Sequence, residues 1–198
     1  LDSLQPERFT QLTRTGQLSK VLEGIDAAIA AGLHIKLNSV ILKNRNSDEI
    51  HDLVNFVTER KLDISFIEEM PLGAINEHQR DHEFMSSEQL RNIIQQSTPL
   101  LPSNKNTGGP SRYWQVKNHS SLIGFISPHS ENFCASCNRV RVTAEGQLLL
   151  CLGNEHNLDL RKIIRQHPNN TEQLKHAITE AMQRKPEKHH FNLQGEPE

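Results

Sequence analysis

The strongest constraint on the fold is a change of hydrophobic period that repeats between residues 17 and 70. Leu18, Val21, Leu22, Ile25 and Ile29 recur at helical spacing from Gln17 onward, and Gly32 is placed to end that helix. The segment His34–Ile41 then alternates, with Ile35, Leu37 and Ile41 on one side of a strand and Lys36 and Asn38 on the other. Asn46 and Glu49 have the spacing of a capping box ahead of a helical stripe of Ile50, Leu53, Val54 and Val57, and a second strand is expected over Ile64–Met70. Helix, strand, helix, strand at this pitch implies parallel strands with helices laid on the sheet, an α/β fold of the open-sheet or barrel kind. In that reading the first strand lacks its upstream neighbour. The opening Leu1-Asp2-Ser3-Leu4 has neither an initiator Met nor a targeting presequence, so the sequence is expected to belong to a longer polypeptide. A bare edge strand seeks partners, and self-association is expected from it.

After Pro71 the pattern changes. Residues 73–85 are polar and irregular, and Ser86 with Gln89 can cap a short helix through Leu90, Ile93 and Ile94 that Pro99 and Pro102 bring to an end. Asn104–Pro110 reads as a loop. Arg112–Lys117 and Leu122–Ser127 predict one hairpin, and Arg139–Thr143 with Gln147–Leu152 a second around Ala144-Glu145-Gly146. Helices are expected at Leu158–Gln166 and Thr171–Arg184. The expected division is therefore a βα portion over residues 1–72 and an α+β domain over residues 73–198.

Composition narrows the partners. Only 35% of residues are hydrophobic, and no stretch approaches the run of about 20 apolar residues that a spanning helix needs, so no membrane span is expected. A net charge of −2 gives no overall attraction to nucleic acid or anionic lipid, and any anion site must be local. The three cysteines all lie between positions 134 and 151, an odd and tightly grouped set that argues for a reducing cytoplasm over a secreted disulfide framework.

Those cysteines are the chemical centre of the sequence. Cys134-x-x-Cys137 is followed by Cys151 beyond the predicted turn, and an antiparallel hairpin would bring Cys151 back to the side of Cys137. Spacing alone leaves two metals open. Structural zinc takes four ligands, with His156 as a fourth and His129 as a weaker candidate, whereas a four-iron cluster on three thiolates keeps one iron open.

The residues around the cysteines carry a resemblance. Phe133-Cys134-Ala135-Ser136-Cys137-Asn138-Arg139-Val140-Arg141-Val142-Thr143, with Gly146 and Cys151-Leu152, resembles the second-cluster signature of the radical-SAM GTP cyclases of molybdenum-cofactor biosynthesis. The likeness extends to Leu1-Asp2-Ser3-Leu4, Gly32, Lys36-Leu37-Asn38 and Phe66-Ile67-Glu68-Glu69-Met70. It implies the last βα units of an incomplete radical-SAM barrel, followed by a domain with a substrate-side [4Fe-4S] cluster on Cys134, Cys137 and Cys151.

It implies further that Lys36, Arg139 and Arg141 bind GTP and that Met70 contacts S-adenosylmethionine. Two guanidinium forks on one strand face suit phosphate oxygens, although a solvated edge is the plainer reading of such a pair taken alone. A Met ending an apolar strand is likewise more often core. Family members are lyases that convert GTP towards cyclic pyranopterin monophosphate, with later enzymes of that pathway as implied partners. Their first cluster, on a C-x-x-x-C-x-x-C loop, cleaves S-adenosylmethionine; no such motif occurs here, so this chain by itself is expected to be inactive. Ser65 stands where members commonly have Arg, and the resemblance leaves the usual Gly-Gly tail unmatched after Pro197-Glu198.

Overall fold

A computed structural model describes residues 1–70, 79–152 and 157–188. The chain divides into two compact units, Leu1–Glu131 and Asn132–Glu198. In chain order the first contains α1 (Pro6–Thr13), α2 (Leu18–Ala30), β1 (Lys36–Val40), α3 (Ile50–Glu59), β2 (Asp63–Ile67), α4 (Arg80–Glu83), α5 (Ser87–Gln95), β3 (Leu100–Pro102), β4 (Arg112–Val116) and β5 (Leu122–Ile126). The second contains β6 (Arg141–Val142), β7 (Gln147–Leu149), β8 (Asn157–Asp159), α6 (Leu160–Gln166) and α7 (Thr171–Gln183).

The strands of the first unit form one mixed sheet in the order β1-β2-β5-β4-β3. β1, β2 and β5 run parallel, and β4 and β3 are antiparallel to their neighbours. The α/β class and the predicted 112–126 hairpin are both present. That hairpin does not stand apart from the βα portion, because β5 hydrogen-bonds directly to β2. The expected division fell after residue 72, within the undescribed stretch 71–78, whereas the compact units part between Glu131 and Asn132.

Register sorts the sheet into two faces. Leu37, Ile64 and Ile123 align across β1, β2 and β5, and Phe66 and Phe125 pair two residues further along. This side is buried with Ile25, Ile50, Leu53, Val54, Val57, Leu90 and Ile94 from the helices, so the helical stripes seen in the sequence are the covering layer. Burying each large side chain of this set contributes about 1.5–3 kcal/mol relative to leaving it in water. The opposite face carries Lys36, Asn38, Ser65, Gly124 and Tyr113.

Two sequence expectations are corrected here. Asn46 and Glu49 form no capping box: Ser47–Glu49 is a 3₁₀ turn, and both side chains are buried as anchors for the first residues of the chain. Asn46 Nδ2 donates to the carbonyls of Asp2 and Val40, and its Oδ1 accepts from Leu42 N. Glu49 accepts from Ser3 Oγ and Leu4 N at 2.7 Å each and pairs with Arg8. Those first residues also run along the outer edge of β1. The Leu1 amino group donates to Asn38 O at 2.7 Å, and Asp2 Oδ1 accepts from Val40 N at 2.8 Å. The β1 edge is therefore partly covered from within the chain, not bare.

The second unit is a three-stranded antiparallel sheet, β6-β7-β8, among the described residues. Gly146, at φ +81°, makes the turn between β6 and β7, with its N–H donating to Thr143 O. Leu148, Leu150 and Ala181 are its buried core. The predicted hairpin is present but shorter than 139–152, and the two final helices lie close to their expected ranges.

Candidate functional site

Cys134 and Cys137 sit at the two ends of one tight turn. Cys134–Ser136 is a 3₁₀ helix, Cys137 N donates to Cys134 O at 3.0 Å, and Asn132 Oδ1 accepts from Cys134 N at 2.7 Å. In a 3₁₀ turn, side chains three apart eclipse, so the x-x spacing puts both thiols on one side. All three cysteines are free and half-buried. Soft thiols of this accessibility suit an iron–sulfur group as a donor set.

The three are not drawn together into a ligand sphere. Among the described residues no three His, Cys, Asp or Glu side chains are grouped closely enough to hold a metal ion. The reason lies in the hairpin's register. Its pairs are Arg141–Leu149 and Val142–Leu148, and extending them places Cys151 opposite Arg139, two residues beyond Cys137. Among the described residues the β6–β7 ladder ends at the Arg141–Leu149 pair, short of both Cys137 and Cys151. His156, the zinc alternative's fourth ligand, lies outside the described residues, and His129 is engaged elsewhere, its ring edge-on to Phe84 at 5.7 Å.

Arg139 and Arg141 are exposed, Arg141 opening the outer strand β6 and Arg139 two residues before it, and among the described residues neither guanidinium is in an ion pair. Their backbone is fixed from below: Lys185 Nζ, just past α7, donates to Arg139 O at 2.9 Å and Leu150 O at 2.6 Å, tying the two arms of the hairpin together. The pair is thus presented to solvent on a braced segment leading into β6, an arrangement that can take an anion.

In the first unit Lys36 is exposed on the polar face of the sheet, as its alternation predicts. Its ammonium donates to Tyr113 Oη at 3.3 Å, and Thr107 Oγ1 lies 3.2 Å from the same hydroxyl. Beside them Ser65 and Ser111 share a buried hydrogen bond of 2.9 Å. Burial opposes ionisation of the Tyr113 phenol. Hydrogen bonds with Thr107, Ser111 and Lys36 and the ammonium's charge outweigh it, and the phenol titrates below its ordinary value. Sequence reasoning missed Tyr113, Thr107 and Ser111; the available signal was Tyr113 as the only tyrosine, in a strand that puts it on Lys36's face. Met70 lies just past β2, half-buried and outside the packed core cluster.

Residues 62–191 match the family described as Molybdenum Cofactor Synthesis C. The chain belongs to that family. The match covers every element from β2 to α7, and so includes the cysteine turn, both arginines, Ser65 and Tyr113. Curated relatives named GTP 3',8-cyclase are similar along the whole sequence. That of Saccharophagus degradans is 59% identical over 199 residues, 100% of this chain and 60% of the relative. Those of Pseudomonas entomophila and Marinobacter nauticus are 58% and 53% identical, covering 99% of this chain and 59% and 60% of their own lengths. The chain thus spans about 60% of the length of these relatives. No helix among the described residues is long and apolar enough to cross a membrane.

Proposed function

We propose that this chain is the substrate-binding part of a GTP 3',8-cyclase that converts GTP in molybdenum cofactor synthesis. The observation that carries the reading is 59% identity to a protein of that name along 100% of the chain. On this reading residues 1–72 are the closing βα units of a radical-SAM barrel, and the later residues carry the iron–sulfur site. Cys134, Cys137 and Cys151 would hold a [4Fe-4S] cluster. Such a cluster, with three protein ligands, offers an open iron that can take a nitrogen or oxygen of the guanine base.

The chain's own residues supply the rest. Arg139 and Arg141 bind phosphate oxygens through charge-assisted hydrogen bonds, each worth about 1.5–3 kcal/mol, or roughly ten- to a hundredfold in affinity. Lys36 adds a point charge from the polar sheet face, and Met70 meets S-adenosylmethionine. Cleavage of S-adenosylmethionine belongs to a motif this sequence does not contain, so the isolated chain makes no product. Later enzymes of the cyclic pyranopterin route, and a second copy of the chain along the remaining β1 edge, are the further partners this reading implies, in the cytoplasm.

The test is iron and sulfide content after anaerobic reconstitution of the wild type and of single Cys→Ala variants at 134, 137 and 151. The wild type is expected to turn brown with about four irons per chain, and each variant to lose them, because two thiolates are too few to hold the cluster. Full occupancy in any variant overturns the assignment. A colourless protein holding zinc that is lost in His156→Ala would establish the four-ligand zinc reading instead.

A further inference from the structure

Along the row Asn38, Ser65, Gly124, Tyr113 that crosses four strands, the two central positions carry almost no side chain. Neighbouring strands lie about 4.8 Å apart, so Tyr113 on β4 and the Lys36 strand are separated by roughly 14 Å of sheet. Two long side chains can bridge that span only by reaching over the small residues between them. A Cβ added to Gly124 would lie 2.9 Å from Tyr113 Cε1, 2.6 Å from Ser65 Oγ and 2.2 Å from Ser111 Oγ, so the tyrosine ring crosses directly over the glycine.

The two meet at the far side. Lys36 Nζ is 3.3 Å from the hydroxyl and 5.9 Å from the ring centre. Thr107, from the loop over residues 104–110, lies against the same oxygen. Tyr113 is 3% exposed and fixed by its packing, whereas Lys36 is open to solvent. An ammonium has three N–H donors, and one spent on the phenol leaves two for an anion.

We propose that Tyr113 is the positioning residue of Lys36, holding its ammonium over the polar sheet face to receive a phosphate oxygen of a nucleotide. This rests on the reading of Lys36 as a GTP ligand. Untethered, an exposed lysine spreads over many rotamers, and an anion must gather it back before binding. The phenol does that in advance, with Gly124 and Ser65 keeping the path clear.

The experiment compares the wild type, Lys36→Met and Tyr113→Phe for affinity towards GTP and guanosine by equilibrium dialysis. It is paired with ultraviolet titration of the phenol, which reports Tyr113 alone because the chain has one tyrosine. Lys36→Met should weaken GTP at least tenfold and guanosine little; unchanged GTP affinity there would remove the ligand reading itself and the proposal with it. Tyr113→Phe should weaken GTP roughly three- to tenfold, the scale of the rotamer freedom regained, and leave guanosine unchanged. If Lys36→Met loses GTP while Tyr113→Phe does not, the positioning role alone is overturned. The titration needs no folding assumption about the Tyr113 variant. Its midpoint should rise in Lys36→Met towards the ordinary phenol value of about 10, and identical midpoints in the two proteins would show that the contact does not exist.

Discussion

Replacing Glu68 by Gln should destabilise the first unit by about 3–5 kcal/mol although it exchanges only one heavy atom. Glu68 lies just past β2 and is 1% exposed. Its Oε1 accepts from Ser87 N at 2.8 Å and from the Ser130 hydroxyl, and its Oε2 accepts from His129 N and Ser130 N at 3.0 Å each. One side chain therefore joins the end of β2, the start of α5 and the loop that follows β5. A glutamine presents NH₂ in place of one oxygen, and in either orientation that NH₂ faces at least one backbone N–H that cannot turn away. Two bonds to a carboxylate are lost, each worth about 1.5–3 kcal/mol, and buried donors are left without acceptors. Urea unfolding followed by Trp114 fluorescence reads this unit alone, since Trp114 is the only tryptophan. With a slope of about 1–3 kcal/mol per molar urea, the midpoint should fall by roughly 2 M with the slope unchanged. Amide exchange at His129 and Ser130 should quicken with it. A midpoint within about 0.5 M of wild type, on that same slope, would refute the claim that this carboxylate holds the three segments together.

Gly124→Ala should cost about 1–3 kcal/mol, since its Cβ has no room against Ser111, Ser65 and the Tyr113 ring; a melting temperature equal to wild type would show the polar face to be looser than described. Ser86→Ala should cost about 1 kcal/mol by removing the acceptor for Gln89 N from a complete capping box, and circular dichroism on heating measures it.

The sequence by itself determined the elements and their faces. Periods of 3.6 and 2 are imposed by backbone geometry, so the stripe Ile50, Leu53, Val54, Val57 and the alternation of Lys36 and Asn38 with Leu37 could be read before any packing was known. Gly32 and Gly146 were legible as stops and turns for the same reason, both standing at positive φ. The Ser86–Gln89 box was legible because its partners are three residues apart. The same spacing at Asn46 and Glu49 misled, because a tertiary demand outranked the local one: the Asp2 carbonyl took the Asn46 amide, and the Ser3 hydroxyl and Leu4 N–H took the Glu49 carboxylate. Strand order was decided only in three dimensions, where the 112–126 hairpin buries Ile123 and Phe125 on the face already made by Leu37, Ile64 and Phe66. The cysteine trio was visible as a spacing, but the register that offsets Cys151 from Cys137 is set by which backbone groups pair across the turn. Tyr113 and Lys36 are 77 residues apart, and no local pattern announces such a contact; the sheet creates it by lining up Gly124 and Ser65 between them.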